Sequence, residues 1–351
     1  MIFKRIIKKK SALVCLVVLT LLYIFVIFAP FFAPYPYDEE NFLYSWCPPT
    51  KIHFFNPQTK KIGLFVYAQK FKINEYFKRV YYQDRTKIYP IKFFVKGFKY
   101  KILGLWEFDR HLFGLDEGKI FLFGTDLKGR DIFSRILYGG KVSLSIAVIG
   151  ALISFFIGLL VGGISGYFGA KLDNLLMRLC EMIMMIPSFY LLIALRSAFL
   201  HLNLNSLQIY FLIVIILSFI GWASFARIIR GLSLSLRENE FVYAAKSIGL
   251  SSFKIITRHI LPHTLSYGLV ALVLSIPSYI LGEAALSLLG LGIQEPQASW
   301  GNLLSSALGI VNIRLYPWIL TPGVFILITV MCFNILGETL RDVLDPKRKV
   351  L

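Results

Sequence analysis

Six long apolar runs dominate the pattern of the chain, at about 11 to 33, 142 to 166, 182 to 200, 207 to 226, 264 to 290 and 317 to 337. Each approaches the roughly 20 residues that a helix needs to cross the hydrocarbon of a bilayer. Few ionised groups interrupt them, and Gly158, Gly162 and Gly163 in the second run would let neighbouring helices come close. The pattern predicts a packed bundle of six membrane-spanning helices. Residues 34 to 141 read differently. Aromatic and basic residues interleave there, as in Phe93-Phe94-Val95-Lys96-Gly97-Phe98-Lys99-Tyr100, and such alternation predicts short strands rather than helix. The expected fold is an all-α membrane protein with a β-containing insertion after its first helix.

Composition fits this picture. The 351 residues are 56% hydrophobic and 17% charged, with a mean hydropathy of +0.66, too apolar for a soluble enzyme of this length. The net charge of +18 would suggest nucleic acid in a soluble chain, but beside membrane spans it reads as topology signal and headgroup contact. No nucleic-acid partner is expected. The first run follows Lys4, Arg5, Lys8, Lys9 and Lys10, yet it is longer than the apolar part of a secretory signal, and Ala33-Pro34 is a poor cleavage site. It is read as a retained span.

Lys/Arg counts in short connections set the orientation. Residues 1 to 10 carry five, 167 to 182 two, 226 to 263 six and 338 to 351 four, whereas 201 to 206 carry none and 291 to 316 one. Both termini are therefore expected in the cytoplasm. Residues 34 to 141, with 19 Lys/Arg against 11 Asp/Glu, lie outside, since a segment of that length translocates regardless of charge. The domain plan is a basic N-terminus 1-10, a first helix 11-33, an extracytoplasmic insertion 34-141, a five-helix core 142-337 containing a cytoplasmic loop 227-263, and a tail 338-351.

Little in the chain suggests chemistry of its own. Gly124-Thr125-Asp126-Leu127-Lys128-Gly129-Arg130-Asp131 spaces two glycines like a phosphate loop but puts Arg-Asp where Lys and Ser/Thr would hold phosphate and magnesium. Three of the four cysteines, Cys15, Cys180 and Cys332, lie in or beside apolar runs, and only Cys47 lies in a polar segment, so no disulfide or metal framework is implied. Pro262 between His259 and His263 spoils a helical pair of metal ligands. No catalytic residue is assigned, and the chain is not expected to be an enzyme.

The connection from Arg227 to His263 is long and strongly patterned. One short helix is predicted to begin near Asn239, to carry Glu240 in its first turn and to stop at Gly249. Phe241, Ala244, Ala245 and Ile248 fall at i, i+3, i+4 and i+7 and form a stripe. A second helix starts near Ser251 or Ser252, carries Phe253, Ile256 and Ile260 on one face, and ends at Pro262. So short a helix must dock on something. Periodicity does not choose between its own bundle and a groove on a separate protein rimmed by Arg237, Lys246 and Arg258.

Tyr243-Ala244-Ala245-Lys246-Ser247-Ile248-Gly249 followed by His259-Ile260-Leu261-Pro262 resembles the EAA motif of binding-protein-dependent ABC importer permeases. Further stretches resemble the C-type subunit of the dipeptide/oligopeptide permeases. These are Gly124-Thr125-Asp126 with Gly129-Arg130-Asp131, Ser134-Arg135, Gly139 to Leu144, Glu283-Ala284, Leu286-Ser287, Leu289-Gly290-Leu291-Gly292, Ser299-Trp300-Gly301, Gly337-Glu338, Arg341-Asp342 and Asp345-Pro346. Together they cover residues 120 to 346 nearly continuously. Tyr243 stands where many permeases have the glutamate that opens the motif, His259 stands at the isoleucine position, and the segment before Gly124 is long for the family.

The resemblance implies a type I ABC importer permease with six transmembrane helices in the inner membrane. It also implies a second, homologous permease subunit, two cytoplasmic ABC ATPases that bind the ATP and magnesium, and an extracytoplasmic solute-binding protein. No cofactor is implied in this chain itself. Phe241, Ala244, Ala245, Ile248, Gly249, Leu261 and Pro262 become candidates for ATPase coupling. Glu283, inside the fifth run, and Arg196, near the end of the third, are candidates for the translocation path. For Glu283 the alternative is a polar clamp to Ser275, Ser278 or Ser287, and for Arg196 it is snorkelling to headgroups. Peptides or peptide-like solutes are the implied cargo. Rivals are nickel chelates, a peptide antibiotic or an oligosaccharide on the same fold, and, from another class, a membrane-anchored scaffold built on 34-141.

Overall fold

The computed structural model describes residues 2–56, 61–76, 78–102, 105–198, 202 and 204–344. The basic N-terminus forms α1 (Ile2–Lys8), and the first apolar run forms α2 (Lys10–Ile27) and the short α3 (Ala29–Phe32), whose Pro30 occupies an early position that needs no N–H donor. Five strands follow. β1 (His53–Asn56), β2 (Lys61–Ile73) and β3 (Arg79–Pro90) make an antiparallel sheet in the order β1-β2-β3, and β4 (Lys92–Ile102) and β5 (Trp106–Gly114) make a separate hairpin. The expected strands are present.

The rest is helical. α4 covers Ile132–Phe168, α5 Ala170–Met185, α6 Ser188–Ala198, α7 Ser206–Arg237, α8 Glu240–Ser247, α9 Ser252–Ile255, α10 Leu261–Leu288, α11 Trp300–Leu303, α12 Ile310–Leu315 and α13 Thr321–Leu344. Among the described residues, five helical stretches are long and apolar enough to cross a membrane: α2, α4, α7, Ser252–Leu288 and Pro317–Leu344.

Three differences from the sequence pattern have local causes. The third apolar run is two helices, α5 and α6, because Pro187 has no N–H to continue a helix and pushes Ile186 into an extended conformation (φ −76°, ψ 122°). α4 begins ten residues before the expected 142. Asp131 starts it by accepting the Ser134 N–H at 2.8 Å, an N-cap bond that a hydropathy window does not register. The second short helix of the 227–263 connection does not stop at Pro262. A π-helical segment, Ile256–Ile260, carries α9 into α10, and the wider turn accommodates a proline ring that would otherwise press on the carbonyl four residues back.

The chain divides into two compact units. One comprises residues 1–20, 144–286 and 326–351. Its helices pack through small residues: a Cβ on Gly162 would lie 2.4 Å from the Ala226 carbonyl oxygen of α7, a contact only glycine permits. Cys180, Ala223 and Ala226 form a buried cluster against Met177, Val161 and Trp222. The other unit comprises residues 21–143 and 287–325. There Ala29, Ala33 and Leu137 pack with Phe32, Phe133 and Tyr138. Trp300 is fully buried and donates its indole N–H to the Ile136 carbonyl at 3.0 Å.

Candidate functional site

The candidate coupling segment is built from α7, α8 and α9, all in one unit. α8 opens on Asn239, whose backbone is extended (φ −84°, ψ 149°), and carries Glu240 in the first turn and Lys246 in the last, complementing the helix dipole. It closes with a Schellman pair. Gly249, at φ +77°, donates to the Lys246 carbonyl at 3.0 Å, and the Leu250 N–H donates to the Ala245 carbonyl at 3.1 Å. A Cβ on Gly249 would meet nothing within 4 Å. Backbone conformation, not space, is what selects glycine here.

Burial divides the expected stripe. Val242 and Ala245 are buried, while Ala244 is exposed and Ile248 keeps 76% of its surface. Phe241 is half-buried, its ring stacked on His263 with centroids 5.1 Å apart. On the next turn of chain, Phe253 is 74% exposed, whereas Ile255, Ile256, Ile260 and Leu261 are buried and Pro262 is exposed. Phe253 therefore does not share a buried face with Ile256 and Ile260. α8 docks on its own bundle through Val242 and Ala245 and leaves a second apolar edge, Ala244, Ile248 and Phe253, in the open. Burying Ile248 and Phe253 would contribute roughly 1.5–3 kcal/mol each.

Behind α8 stands an ion pair the sequence did not single out. Asp173 of α5 accepts from Arg230 of α7 through both oxygens, at 2.7 and 2.5 Å, and from the Ser165 hydroxyl of α4 at 2.5 Å. A forked guanidinium–carboxylate contact fixes orientation as well as distance, so the end of α7 that leads into α8 is held to two other helices. Arg237 and Tyr243 both donate to Glu238, at 2.9 and 2.7 Å. These pairings tie the loop's polar residues to its own frame.

In the same unit a cleft of about 1160 Å³ opens on α7 and α10, lined by Ser224, Arg227, Tyr267, Ser275 and Ser278 together with Arg341 of α13. Glu283, one of the two candidates for the path, is not among the residues lining it. Glu283 is fully buried in α10. Arg196 lies in α6, and its side chain falls outside the described residues. Asp345-Pro346 also lies outside them.

The other unit holds a charged cluster around the phosphate-loop look-alike. The Asp126 carboxylate accepts the N–H groups of Lys128 and Arg130 at 2.9 and 3.0 Å, so the loop's amides are occupied by its own side chain. Arg130 bridges Asp126 at 2.7 Å and Glu295 at 2.5 Å, and Lys128 bridges Glu40 at 2.8 Å and Glu295 at 3.0 Å. Burial pushes the Glu295 carboxyl up, but hydrogen bonds from Arg130 and Lys128 and the charges of Arg130 and Arg135 outweigh it and bring it down to about 2. Asp131 goes the other way. Full burial raises it to about 6, only partly offset by the hydrogen bonds from Ser134. The resemblance marked Arg130 in sequence; its pairing with Glu295, 165 residues on, required the fold.

A profile described as binding-protein-dependent transport system inner membrane component matches residues 143–350, and one described as the N-terminal TM domain of oligopeptide transport permease C matches residues 1–49. The chain is 44% identical over 226 residues to the oligopeptide transport system permease protein OppC of Haemophilus influenzae, covering 64% of this chain and 70% of that one. It is 39% identical to the dipeptide transport system permease protein DppC of Bacillus subtilis, over 64% of this chain and 68% of that one. With the oligopeptide permease OppC of Bacillus subtilis it shares 31% over 339 residues, 96% of this chain and 86% of the relative.

Proposed function

The chain belongs to the family of binding-protein-dependent transport system inner membrane components, and we propose that it is the permease subunit of an ATP-driven importer of peptides or peptide-like solutes. It is a multi-pass membrane protein of type I ABC permease fold. In this reading it sits in the cytoplasmic membrane with both termini inside and pairs with a second, homologous permease. An extracytoplasmic binding protein delivers the solute, and two cytoplasmic ATPases, which hold the ATP and magnesium, bind at α8. The peptide cargo is supported by relatives named for oligopeptide transport over 64% and 96% of this chain and by one named for dipeptide transport over 64% of it.

The observation that carries the coupling role is the apolar edge of α8. A loop that served only its own bundle would have no reason to keep Ile248 and Phe253 in water. Covering that edge with an ATPase groove would turn α8 into a lever: Val242 and Ala245 on one side join it to the bundle, Ile248 and Phe253 on the other join it to the motor, and the Asp173–Arg230 fork passes displacement to α5 and α7. Tagging the chain in its native membrane, solubilising gently and identifying what co-purifies tests the assembly. A second multi-span permease and P-loop ATPases are expected, with a peptide carried by any associated binding protein. Recovery of the chain alone after cross-linking would overturn the proposal and return attention to residues 34 to 141 as an anchored domain.

A further inference from the structure

The β4–β5 hairpin is fastened at its base to the ends of two apolar helices, all within one unit. Phe94 packs on Phe31 of α3 with ring centroids 6.2 Å apart, and Phe113 packs on Phe133 in the first turn of α4 at 6.0 Å. His111 is buried, with Nδ1 2.8 Å from the Pro30 carbonyl oxygen. Pro30 and Phe31 close the first apolar run and Phe133 precedes the second. The base of the hairpin is thereby held at the boundary between membrane and water, whichever side of the membrane that is.

At this boundary Phe93 and Phe94 each keep 58% of their surface exposed. Phe94 also takes φ +56°, a left-handed conformation rare for a bulky side chain, of the kind that persists only where surrounding contacts enforce it. Phe25 of the neighbouring α2 and Phe28, just after it, are exposed as lipid-facing residues would be. Lys92 and Lys96 flank the phenylalanines. Each has a carboxylate neighbour, Asp116 and Asp109, yet their side chains remain 55% and 81% exposed, free to rise along their stems toward phosphate. Aromatic rings flanked by snorkelling lysines are the composition of a bilayer interface.

We infer that the β4–β5 hairpin is an interfacial anchor, with Phe93 and Phe94 seated at the boundary between headgroups and acyl chains and Lys92 and Lys96 against phospholipid phosphates. The hairpin then extends the lipid contact of the bundle and braces the first span against the start of the second. Its occupant is phospholipid. A protein partner over the same patch is the competing outcome.

The test places the full chain in nanodiscs of phosphatidylcholine and phosphatidylglycerol with a bimane label on Phe93→Cys. The four native cysteines are all buried, so background labelling is low. Tyr76→Cys, at a position 79% exposed in the connection between β2 and β3, serves as the aqueous reference. Quenching by nitroxide-bearing lipid is expected to be several-fold stronger at 93 than at 76, and quenching by iodide several-fold weaker. Equal iodide quenching at both positions would overturn the anchor, and so would exclusion of both quenchers from position 93, which would mean a protein covers it. If Phe93→Cys fails to fold, the same label on Lys96→Cys reads the same depth with the phenylalanines intact.

Discussion

Single residues carry the sharpest consequences. Replacing Ile248 or Phe253 with Asp should leave membrane insertion and thermal stability unchanged within about 0.5 kcal/mol, because both are exposed, yet should weaken ATPase association at least tenfold in a pull-down. Gly249→Val forces a β-branched residue to φ +77° in open space, at a cost of about 1–2 kcal/mol. It should insert normally while ATP hydrolysis no longer drives uptake, and normal transport by this variant would contradict the role given to α8. The acidic cluster titrates in two directions. Glu295, held down at about 2 from an ordinary 4.5, contributes stability that is complete above about pH 4.5 and lost as pH falls toward 2. Asp131, raised from 3.8 to about 6, costs stability that grows as pH rises from about 4 to 6 and then levels off. Thermal melts across pH 3 to 8 should therefore lose their acid limb in Glu295→Gln and their decline between pH 4 and 6 in Asp131→Asn.

Among elements, the helices show where sequence reading succeeds. Five of the six expected spans were legible because a membrane demands long apolar runs, while the run 182 to 200 is broken at Pro187; the α8 boundaries were legible because Asn239, Glu240 and Gly249 are local cap signals. The two faces of α8 were not. Val242 and Ala245 on one side and Ala244 and Ile248 on the other are all small or apolar, and periodicity cannot tell the bundle from a partner when both are apolar. Tertiary pairs such as Asp173 with Arg230, 57 residues apart, and Arg130 with Glu295 left no sequence-local trace. The continuation through Pro262 was missed because a proline normally ends a helix, and only the π-helical turn Ile256–Ile260 lets it pass. Asp173→Ala should leave Arg230 without its forked acceptor and destabilise the helix frame by about 2 kcal/mol. The readout is a lowered melting temperature together with faster hydrogen exchange in 230–248.

As a whole molecule, the proposed permease is one wall of a machine whose motor and delivery protein are separate. In the proposed permease the excess of Lys/Arg over Asp/Glu, 38 against 20, serves topology and interfacial contact. In the proposed assembly an ATPase covers the exposed edge of α8. The most direct test is a cysteine at Ile248 in the otherwise intact transporter, assembled with its partners in nanodiscs. With ATPases bound, a short bifunctional cross-linker should join position 248 to an ATPase subunit, and a water-soluble maleimide should label it only after the ATPases are stripped away. Free maleimide labelling at 248 while the ATPases remain bound, with no cross-link to them, would rule out ATPase docking on this edge of α8.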